Sequence, residues 1–479
     1  MELKISTIKV FVAKNGMTIL SFAGLAFFAQ KLGASQMGVF FLFQALLGVV
    51  SLPTSLGFSR SVEKHVSSSN NPELYFVSGL AVQFTMVVVM ILIAFVFSDR
   101  ITDYLGRDLI TYFIIGLVLK PLSGITFSAL KGELRVGESA SVELAKQFAW
   151  VSVGAGLLLL GFDVTGIIIG LLAGFGVKLF WSAYKLDMGW RSLRYRPTER
   201  SVRSLLSFAG RDLVGQLGPF LYSWTDILLL GFFLSSAQVG AYEIAWRVAG
   251  TTNQLTQALT TTVFPQISSW SEENAVEKIE ELLPDLVLSS VILVIPAFFG
   301  SILLGEEVLT FVFGAEYATA WLVLIVFMLR QIISGFTSIF DVILASMDYP
   351  ELRSIATVIG VLLNIVFNTV FIILFGLIGA AVATTLSVIF HTVLTLYFLS
   401  DKIQFKIPKF QMGWCIFSSL GMTLILFPIV KYVNIRTLAS LSAVVLFGVI
   451  VYGIFIMGSP TIRNKVINNS VELIPNKLY

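Results

Sequence analysis

Long apolar runs separated by short polar connections recur along almost the whole chain. The runs extend over about 18 to 25 residues, the length that a helix needs to cross the hydrocarbon core of a bilayer. They do not alternate between apolar and polar residues, as the strands of a membrane β-barrel would. The pattern predicts an all-α membrane protein whose fourteen transmembrane helices lie near residues 7–30, 36–59, 75–97, 109–130, 141–161, 165–186, 205–231, 239–263, 283–304, 318–345, 353–374, 377–399, 411–430 and 437–457.

Related short sequences connect equivalent helices in the two halves of the chain. "LGASQMG" at 32–38 and "LSSAQVG" at 234–240 share Leu, Gln and Gly at a constant offset of 202 residues. "FDVTGIIIG" and "FGLIGAAVA" both join the fifth and sixth helices of a six-helix set. These matches predict two parallel repeats, an N-lobe at 1–190 and a C-lobe at 191–400, with two further helices and a cytoplasmic tail at 401–479. Transporters built from such repeats bind their cargo where the repeats meet.

Three local patterns add detail to the helices. The basic segment 185–203 is either a hinge between the halves or an anchor to anionic lipid. "SEENAVEKIEELL" at 271–283 has a helical pattern of mixed charge, which predicts a short helix at the cytoplasmic surface. Gly166, Gly170 and Gly174 form a small-residue stripe, which predicts a packing seam.

Composition narrows the class of protein. Hydrophobic residues make up 56% of the chain and charged residues 13%, which excludes a water-soluble protein of this length. One cysteine, Cys415, excludes an intrachain disulfide, and two histidines, His65 and His391, are too few for a zinc site, so we predict no metal and no cofactor. Lys and Arg concentrate in the connections that share a side with the N-terminus, which predicts that both termini are cytoplasmic.

Charged residues inside the predicted helices are candidates for a site, because each costs free energy in lipid. In the first half these are Lys14, Lys120 and Lys178, for which we predict no carboxylate partner. Unpaired cations that face a cavity suit a phosphate or pyrophosphate. The alternative for Lys14 and Lys178 is that they extend to the cytoplasmic face.

The second half carries charges of both signs: Arg211, Arg247 and Arg330 with Asp212, Asp226, Glu243 and Asp341. Glu243 and Arg247 are four residues apart on one helix face, and Asp226 falls at a similar depth on the preceding helix, so it is a predicted counter-ion for Arg247. Asp226, Glu243 and Asp341 either couple transport to an ion or fix one helix against another.

Polar uncharged residues supply a second set of candidates. Asn253, Gln254 and Gln257 lie in the segment "TTNQLTQALTTT", and Asn364 and Asn368 are four residues apart on helix 11. Such side chains match the hydroxyl groups of a sugar. Hydrogen bonding between helices explains them equally well, and it also explains His391.

Several stretches resemble one known family. "AQKLGASQMGVFFLFQALLGVVSLPTSLGFSRSV", "TDILLLGFFLSSAQVGAYEIA", "VFPQIS", "FGAEYATA" and "FGLIGAAVAT" resemble the polysaccharide-biosynthesis flippases of the O-antigen type, in the multidrug/oligosaccharidyl-lipid/polysaccharide exporter superfamily. The resemblance covers about the first 400 residues. It implies two six-helix lobes in a V around a central cavity, and alternating access. Asp226 falls where this family often has an aspartate.

The implied cargo is an oligosaccharide linked to polyprenyl or dolichyl phosphate or pyrophosphate, flipped from the cytoplasmic to the outer leaflet. The implied location is the cell membrane of a bacterium or archaeon, with membrane lipids and other glycan-assembly proteins as partners and no nucleic acid. A cation-coupled drug exporter of the same fold is the alternative. The acids on which drug exporters rely in their first lobe are not evident, which favours the anionic cargo. A membrane-embedded glycosyltransferase or polymerase is disfavoured by the short outer loop "KLGASQ", so we predict that the protein is not an enzyme.

Overall fold

The structure is a computed structural model that describes residues 2–55, 57–405, 407–432 and 435–464, without the side chains of residues 2–15 and of some later positions. The described residues are helical almost throughout and contain no strand, which confirms the all-α prediction. The chain divides into two compact units, Met1–Gly240 and Ala241–Tyr479.

In chain order the helices are α1 (Glu2–Val50), α2 (Leu52–Ser55), α3 (Phe58–Ser68), α4 (Pro72–Val96), α5 (Ser98–Leu105), α6 (Ile110–Gly132), α7 (Val136–Leu159), α8 (Val164–Lys185), α9 (Glu199–Phe233), α10 (Ser236–Gly250), α11 (Gln254–Glu272), α12 (Val276–Val291), α13 (Val294–Val308), α14 (Trp321–Ser346), α15 (Pro350–Ser400), α16 (Lys409–Tyr432) and α17 (Leu438–Met457). Short non-α helical turns cover Gly189–Arg194, Thr251–Asn253, Leu309–Phe313 and Ala315–Ala320.

Ten helical segments in the described part of the chain are long and apolar enough to cross a membrane, which confirms a multi-pass membrane protein. Helices α1 and α15 each consist of two arms separated by one glycine, Gly33 (φ 73°, ψ 174°) and Gly376 (φ 59°, ψ −134°). Glycine adopts these positive φ values without steric cost. The arms correspond to predicted helices 1 and 2 and to predicted helices 11 and 12. Predicted helices 7 and 8 fall on the more polar α9 to α11, so the number fourteen stays a prediction.

Helices α7 and α8 of the first unit pack closely along their length. A Cβ atom added to Gly170 would lie 2.7 Å from the backbone oxygen of Trp150, and one added to Gly174 would lie 2.9 Å from that of Lys146. The two backbones therefore touch with no side chain between them. This contact confirms that the glycine stripe of α8 is a packing seam.

The two related connections, 32–38 and 234–240, cross each other inside the first unit. A Cβ atom on Gly38 would lie 1.7 Å from the backbone oxygen of Ser236, and a Cβ atom on Gly240 would lie 2.1 Å from that of Ala34. Each contact is the image of the other under the offset of 202 residues that relates the two sequences. The predicted repeat thus has a structural counterpart at its first connection.

The boundary between compact units differs from the predicted boundary between repeats. The units divide at residue 240, because α9 packs against α1, α3 and α4 of the first unit. Ser61 Oγ, for example, donates to the backbone oxygen of Leu205 over 2.9 Å. The repeat boundaries at 190 and 400 concern sequence duplication rather than compactness, and they stay a prediction.

The predicted surface helix at 271–283 is wrong as a separate element. Helix α11 ends at Glu272, Asn274 turns the chain with φ 54°, and the remaining residues begin α12. Ile279 and Leu283 are each 1% exposed and belong to an apolar cluster with α14. Burial of these two side chains joins the charged segment to the apolar helix that follows it.

Candidate functional site

One group of charged contacts inside the helices of the first unit is centred on Glu143 of α7. One carboxylate oxygen of Glu143 lies 2.5 Å from Lys146 Nζ, and the other lies 2.8 Å from Lys178 Nζ of α8. The prediction that Lys178 lacks a carboxylate partner is therefore wrong. Glu143 falls inside predicted helix 5. It pairs with Lys178 because the face of α7 that carries Glu143 is turned toward α8.

The glycine seam explains why these groups meet. Gly174 lies one turn before Lys178 on α8, and a Cβ atom added to it would lie 2.9 Å from the backbone oxygen of Lys146 on α7. Residues four apart lie on one helix face. Lys178 is consequently held against the face of α7 that carries Glu143 and Lys146.

Aromatic rings complete the surroundings of these lysines. Lys178 Nζ lies 3.9 Å from the centre of the Phe127 ring of α6, and Lys131 Nζ lies 4.9 Å from the same centre. A ring face attracts cations by its quadrupole. We call Lys131, Glu143, Lys146 and Lys178 the lysine cluster; it contains three cations and one anion.

The ends of α6, α7 and α8 meet on one side of the bundle. Arg135 lies 2.6 Å from a carboxylate oxygen of Asp187, and Glu133 accepts hydrogen bonds from the backbone N–H groups of Asp187 (3.0 Å) and Met188 (3.1 Å). Glu143 and Lys178 each lie about 10 Å from these ends, at 1.5 Å per helical residue. Lys120 of α6 lies about 18 Å in on the same count. Positive charge therefore extends from the helix ends toward the middle of α6.

Lys120 contacts a break between α1 and α2. Its Nζ donates to Ser51 Oγ over 2.9 Å and to the backbone oxygen of Leu47 over 3.4 Å. Pro53 follows this break and cannot donate a backbone hydrogen bond. Among the described side chains Lys120 has no carboxylate partner. It has one structural role, to satisfy the interrupted backbone, and no described carboxylate neutralises it.

Two other cations predicted to face the cavity are Lys14 and Arg211. Lys14 lies in the first arm of α1, and its side chain is outside the described residues. Arg211 of α9 is exposed and donates to the backbone oxygen of Ser207 in its own helix over 3.3 Å. Arg211 does not contact the lysine cluster.

The predicted pair on α10 forms. Arg247 Nε lies 2.8 Å from Glu243 Oε1, and Glu243 is 5% exposed. Asp226 of α9 is 4% exposed and has a partner of its own. The assignment of Asp226 as the counter-ion of Arg247 stays a prediction.

Arg330 of α14 lies against aromatic and amide groups. Its guanidinium carbon is 4.4 Å from the centre of the Trp246 ring, and its Nη1 donates to Gln331 Oε1 over 3.4 Å. The same oxygen accepts a 2.6 Å hydrogen bond from Asn253 Nδ2. Gln254 and Gln257 are exposed. Asn253 is therefore tied to α14, whereas the two glutamines are accessible.

The amides of helix 11 are buried in α15. Asn364 Nδ2 donates to Thr384 Oγ1 over 3.2 Å, and Asn368 Nδ2 donates to the backbone oxygen of Asn364 over 3.0 Å. Asn364 is 1% exposed and Asn368 is fully buried. These contacts join the two arms of α15, which favours hydrogen bonding between helices over contact with a sugar.

Asp341 of α14 collects three partners from α15. Its Oδ1 accepts a 3.3 Å hydrogen bond from Thr395 Oγ1 and lies 3.4 Å from His391 Nε2, and its Oδ2 lies 3.7 Å from Arg353 Nε. His391 is 8% exposed. One carboxylate thus contacts three side chains of α15.

An apolar cavity of about 300 Å³ lies in the second unit among α13, α14, α16 and α17. Its wall is almost entirely aliphatic and includes Pro296, Leu304, Met328, Met422, Leu426 and Val445. Such a cavity excludes water and accepts hydrocarbon. The sequence did not predict it, because its wall combines helices separated by more than 100 residues.

At the opposite end of α8 from the lysine cluster, Asp163 is the N-cap residue. It accepts a 3.0 Å hydrogen bond from the Thr165 backbone N–H and forms an ion pair with Arg107. Partial burial of Asp163 opposes ionisation, but the hydrogen bonds from Thr165 and Arg107 outweigh it, so the pKa of this carboxyl is lower than usual.

A family described as "Polysaccharide biosynthesis protein" matches residues 28–322 of the chain. The chain belongs to this family. The match covers both glycine-containing connections and the whole lysine cluster. It agrees with the resemblance noted in the sequence.

Two relatives and one solved structure are similar to this chain over most of its length. The chain is 38% identical over 475 residues to the protein of Haloferax volcanii described as "Probable low-salt glycan biosynthesis flippase Agl15", which covers 99% of this chain and 100% of Agl15. It is 28% identical over 421 residues to "Probable flippase AglR" of the same organism, covering 84% of each chain. Its fold is similar to that of lipid II flippase MurJ in the inward closed conformation, with a TM-score of 0.76 and 16% identity over 94% of this chain and 98% of the other. The predicted family and the all-α membrane fold are confirmed.

Sequence reasoning missed the central residue of the lysine cluster. Glu143 lies near the start of predicted helix 5, but we predicted no carboxylate among the charges of the first half. One signal was present, since Glu143 and Lys146 have the three-residue spacing of an ion pair on one helix face.

Proposed function

We propose that this protein is a flippase that moves a lipid-linked oligosaccharide from the cytoplasmic to the outer leaflet. The observation that carries the proposal is the excess of lysine over carboxylate within α6, α7 and α8. This excess has no use in a protein that only packs helices, because each buried cation costs free energy in the membrane. A carrier phosphate or pyrophosphate supplies the missing negative charge.

The phosphate contacts Lys178 and Lys120 in this proposal. Lysine binds phosphate as a mobile point charge, and the low dielectric of the membrane interior strengthens the attraction. Lys14, Arg211, Arg247 and Arg330 are proposed as further cations of the same pathway. Arg247 and Arg330 are already engaged with Glu243 and Trp246, so their share of the binding energy is smaller.

The carrier tail occupies apolar surface. The aliphatic cavity beside α16 and α17 has the chemistry that a polyprenyl or dolichyl chain requires. The proposal thereby gives a use to the two helices that follow the repeats. The sugar, by contrast, needs hydroxyl-matching groups, for which the exposed Gln254 and Gln257 are suited and the buried Asn364 and Asn368 are not.

The remaining parts of the proposal concern location and energy. Lobes at 1–190 and 191–400 alternate in access, both termini are cytoplasmic, and the protein resides in the cell membrane beside other proteins of glycan assembly. Of the acids proposed for ion coupling, Asp341 has the most suitable contacts, because it faces both His391 and Arg353 of α15. Asp226 and Glu243 are buried acids that serve as counter-ions in this scheme.

Reconstituted vesicles test the function. Purified protein is inserted into liposomes that contain a dolichyl phosphate linked to a fluorescent sugar, and an impermeant quencher reports the leaflet of the label. We expect protein-dependent movement of the label, at least tenfold slower for Lys120→Met than for the wild type. Lys31→Met, a change of an exposed lysine outside the cluster, is the matched control and retains the wild-type rate.

Two results would contradict the proposal. If the labelled lipid moves no faster than in empty liposomes, the protein is not a flippase for this lipid. Transport of a small cationic dye in the same vesicles, without movement of the lipid, identifies the drug-exporter alternative instead.

A further inference from the structure

Glu143 occupies the place between the lysines where a substrate phosphate would neutralise them. Its two oxygens contact two different ammonium groups, Lys146 at 2.5 Å and Lys178 at 2.8 Å. A phosphate group presents its oxygens to cations in the same way. The carboxylate and the cargo therefore compete for the same positive charges.

We infer that Glu143 is a positioning residue that holds Lys146 and Lys178 in place when no cargo is bound and sets how tightly the carrier phosphate binds. The inference rests on the proposed flippase function and adds a residue to it. Glu143 touches the lysines rather than the cargo.

The first part of the argument is mutual repulsion between the lysines. Two ammonium groups drawn to one carboxylate lie within a few ångströms of each other, and Lys131 lies near the shared Phe127 ring. Without an anion among them these cations repel, and repulsion is strong where water is scarce. Glu143 removes this repulsion and keeps both side chains directed into the cluster.

The second part concerns net charge. With its three lysines and one carboxylate the cluster carries a charge of about +2, and loss of the carboxylate raises it to about +3. A phosphate binds more tightly to the more positive cluster. Transport also requires release, so tighter binding lowers the turnover number once the cargo saturates the protein.

Glu143→Gln tests the inference, because glutamine preserves size and one oxygen acceptor but removes the charge. In the vesicle assay we expect KM for the labelled dolichyl phosphate sugar to fall about tenfold and kcat to fall about tenfold with it. A purely structural role would lower the amount of active protein, and hence kcat, with KM unchanged. An unchanged KM therefore overturns the inference.

Two further variants make the test specific. Glu138→Gln is the matched control, since Glu138 pairs with Arg135 and Lys185 at the helix ends outside the cluster, and its KM should equal that of the wild type. The double variant Glu143→Gln with Lys146→Met restores the net charge of +2. Its KM should return to within about threefold of the wild-type value. A KM as low as that of Glu143→Gln alone excludes the charge argument, and this comparison remains valid if Glu143→Gln lowers the amount of folded protein, because KM does not depend on that amount.

Binding measurements separate the inference from the proposed function and identify the source of the phosphate. Dolichyl phosphate, phosphatidylglycerol and inorganic pyrophosphate are titrated separately against the purified protein. Tighter binding of dolichyl phosphate alone by Glu143→Gln supports the inference, even if the wild type moves no lipid and the flippase proposal fails. Equal tightening for phosphatidylglycerol shows a general lipid-headgroup site and overturns the assignment to cargo. Transport by the wild type with affinities that Glu143→Gln leaves unchanged overturns the inference and retains the flippase.

Discussion

Alanine at Gly38 or Gly240 should force apart the two connections that cross in the first unit. Neither glycine has a positive φ, so the backbone itself accepts alanine, and the effect comes from contact alone. The added methyl group at Gly38 would lie 1.7 Å from a backbone oxygen, and that at Gly240 would lie 2.1 Å from one. Backbone atoms cannot rotate away as a flexible side chain can.

The size of the effect follows from these distances. An ordinary contact needs about 3.4 Å, so the connections must separate by about 1.7 Å for Gly38→Ala and about 1.3 Å for Gly240→Ala. Overpacking of this kind costs about 1 to 3 kcal/mol. Both substitutions act on one crossing, so the double variant should be destabilised by less than the sum of the single variants.

Thermal unfolding of the purified protein in detergent measures this cost. We expect the midpoint of each single variant to fall by about 2 to 6 °C, at about 2 °C per kcal/mol for a large protein. Gly176→Ala is the matched control, because Gly176 lies in α8 with nothing within 4 Å of an added Cβ atom, and alanine there should leave the midpoint unchanged or raise it. Single variants as stable as this control, or a double variant with fully additive loss, would refute the crossing.

Three further predictions concern other parts of the chain. Asp163→Asn should keep the N-cap of α8 but remove the pH dependence that the carboxylate gives to stability. In the wild type the carboxylate contributes less than about 1 kcal/mol, which is complete above about pH 4 and is lost as the pH falls through its lowered pKa. Unfolding of both proteins is measured from pH 7 to pH 3, and an equal loss of stability in both would contradict this prediction. Asp341→Asn should slow lipid movement at least tenfold, because Arg353 and His391 of α15 lose the carboxylate that they face; a wild-type rate in the vesicle assay would exclude Asp341 from coupling. Ala297→Phe should fill the apolar cavity and raise KM about tenfold for a long-chain carrier but not for a short-chain one, and an equal effect on both would separate the cavity from the lipid tail.

How far the sequence predicted the structure depends on the range of the contacts. Helix positions depend on runs of apolar residues, and the predicted connections at 31–35 and 375–376 contain Gly33 and Gly376, which separate the helical arms of α1 and α15. The seam of α8 was visible because Gly166, Gly170 and Gly174 share one face. Partners on different helices were harder, because pairing depends on rotation about each helix axis.

Glu143 and Lys178 illustrate this limit. Their separation of 35 residues gives no sequence signal. The glycine seam identifies the pair only when the rotation of both α7 and α8 about their axes is known. Asp341 and His391 meet for the same reason across 50 residues of chain. The charged segment at 271–283 misled the prediction in another way, because two buried side chains, Ile279 and Leu283, outweigh its charges.

The crossing of the two connections has the form of an isologous interface. In a twofold-symmetric dimer residue i of one subunit contacts residue j of the other, and j contacts i in return. Here Gly38 meets Ser236 and Ala34 meets Gly240, so a single chain contains both halves of such a pair. A six-helix ancestor that formed a homodimer would have had this contact before duplication, and one substitution in its gene would then have changed both sides of the contact. In the present chain the same alteration requires two independent mutations, so each connection restricts the changes that the other can accept.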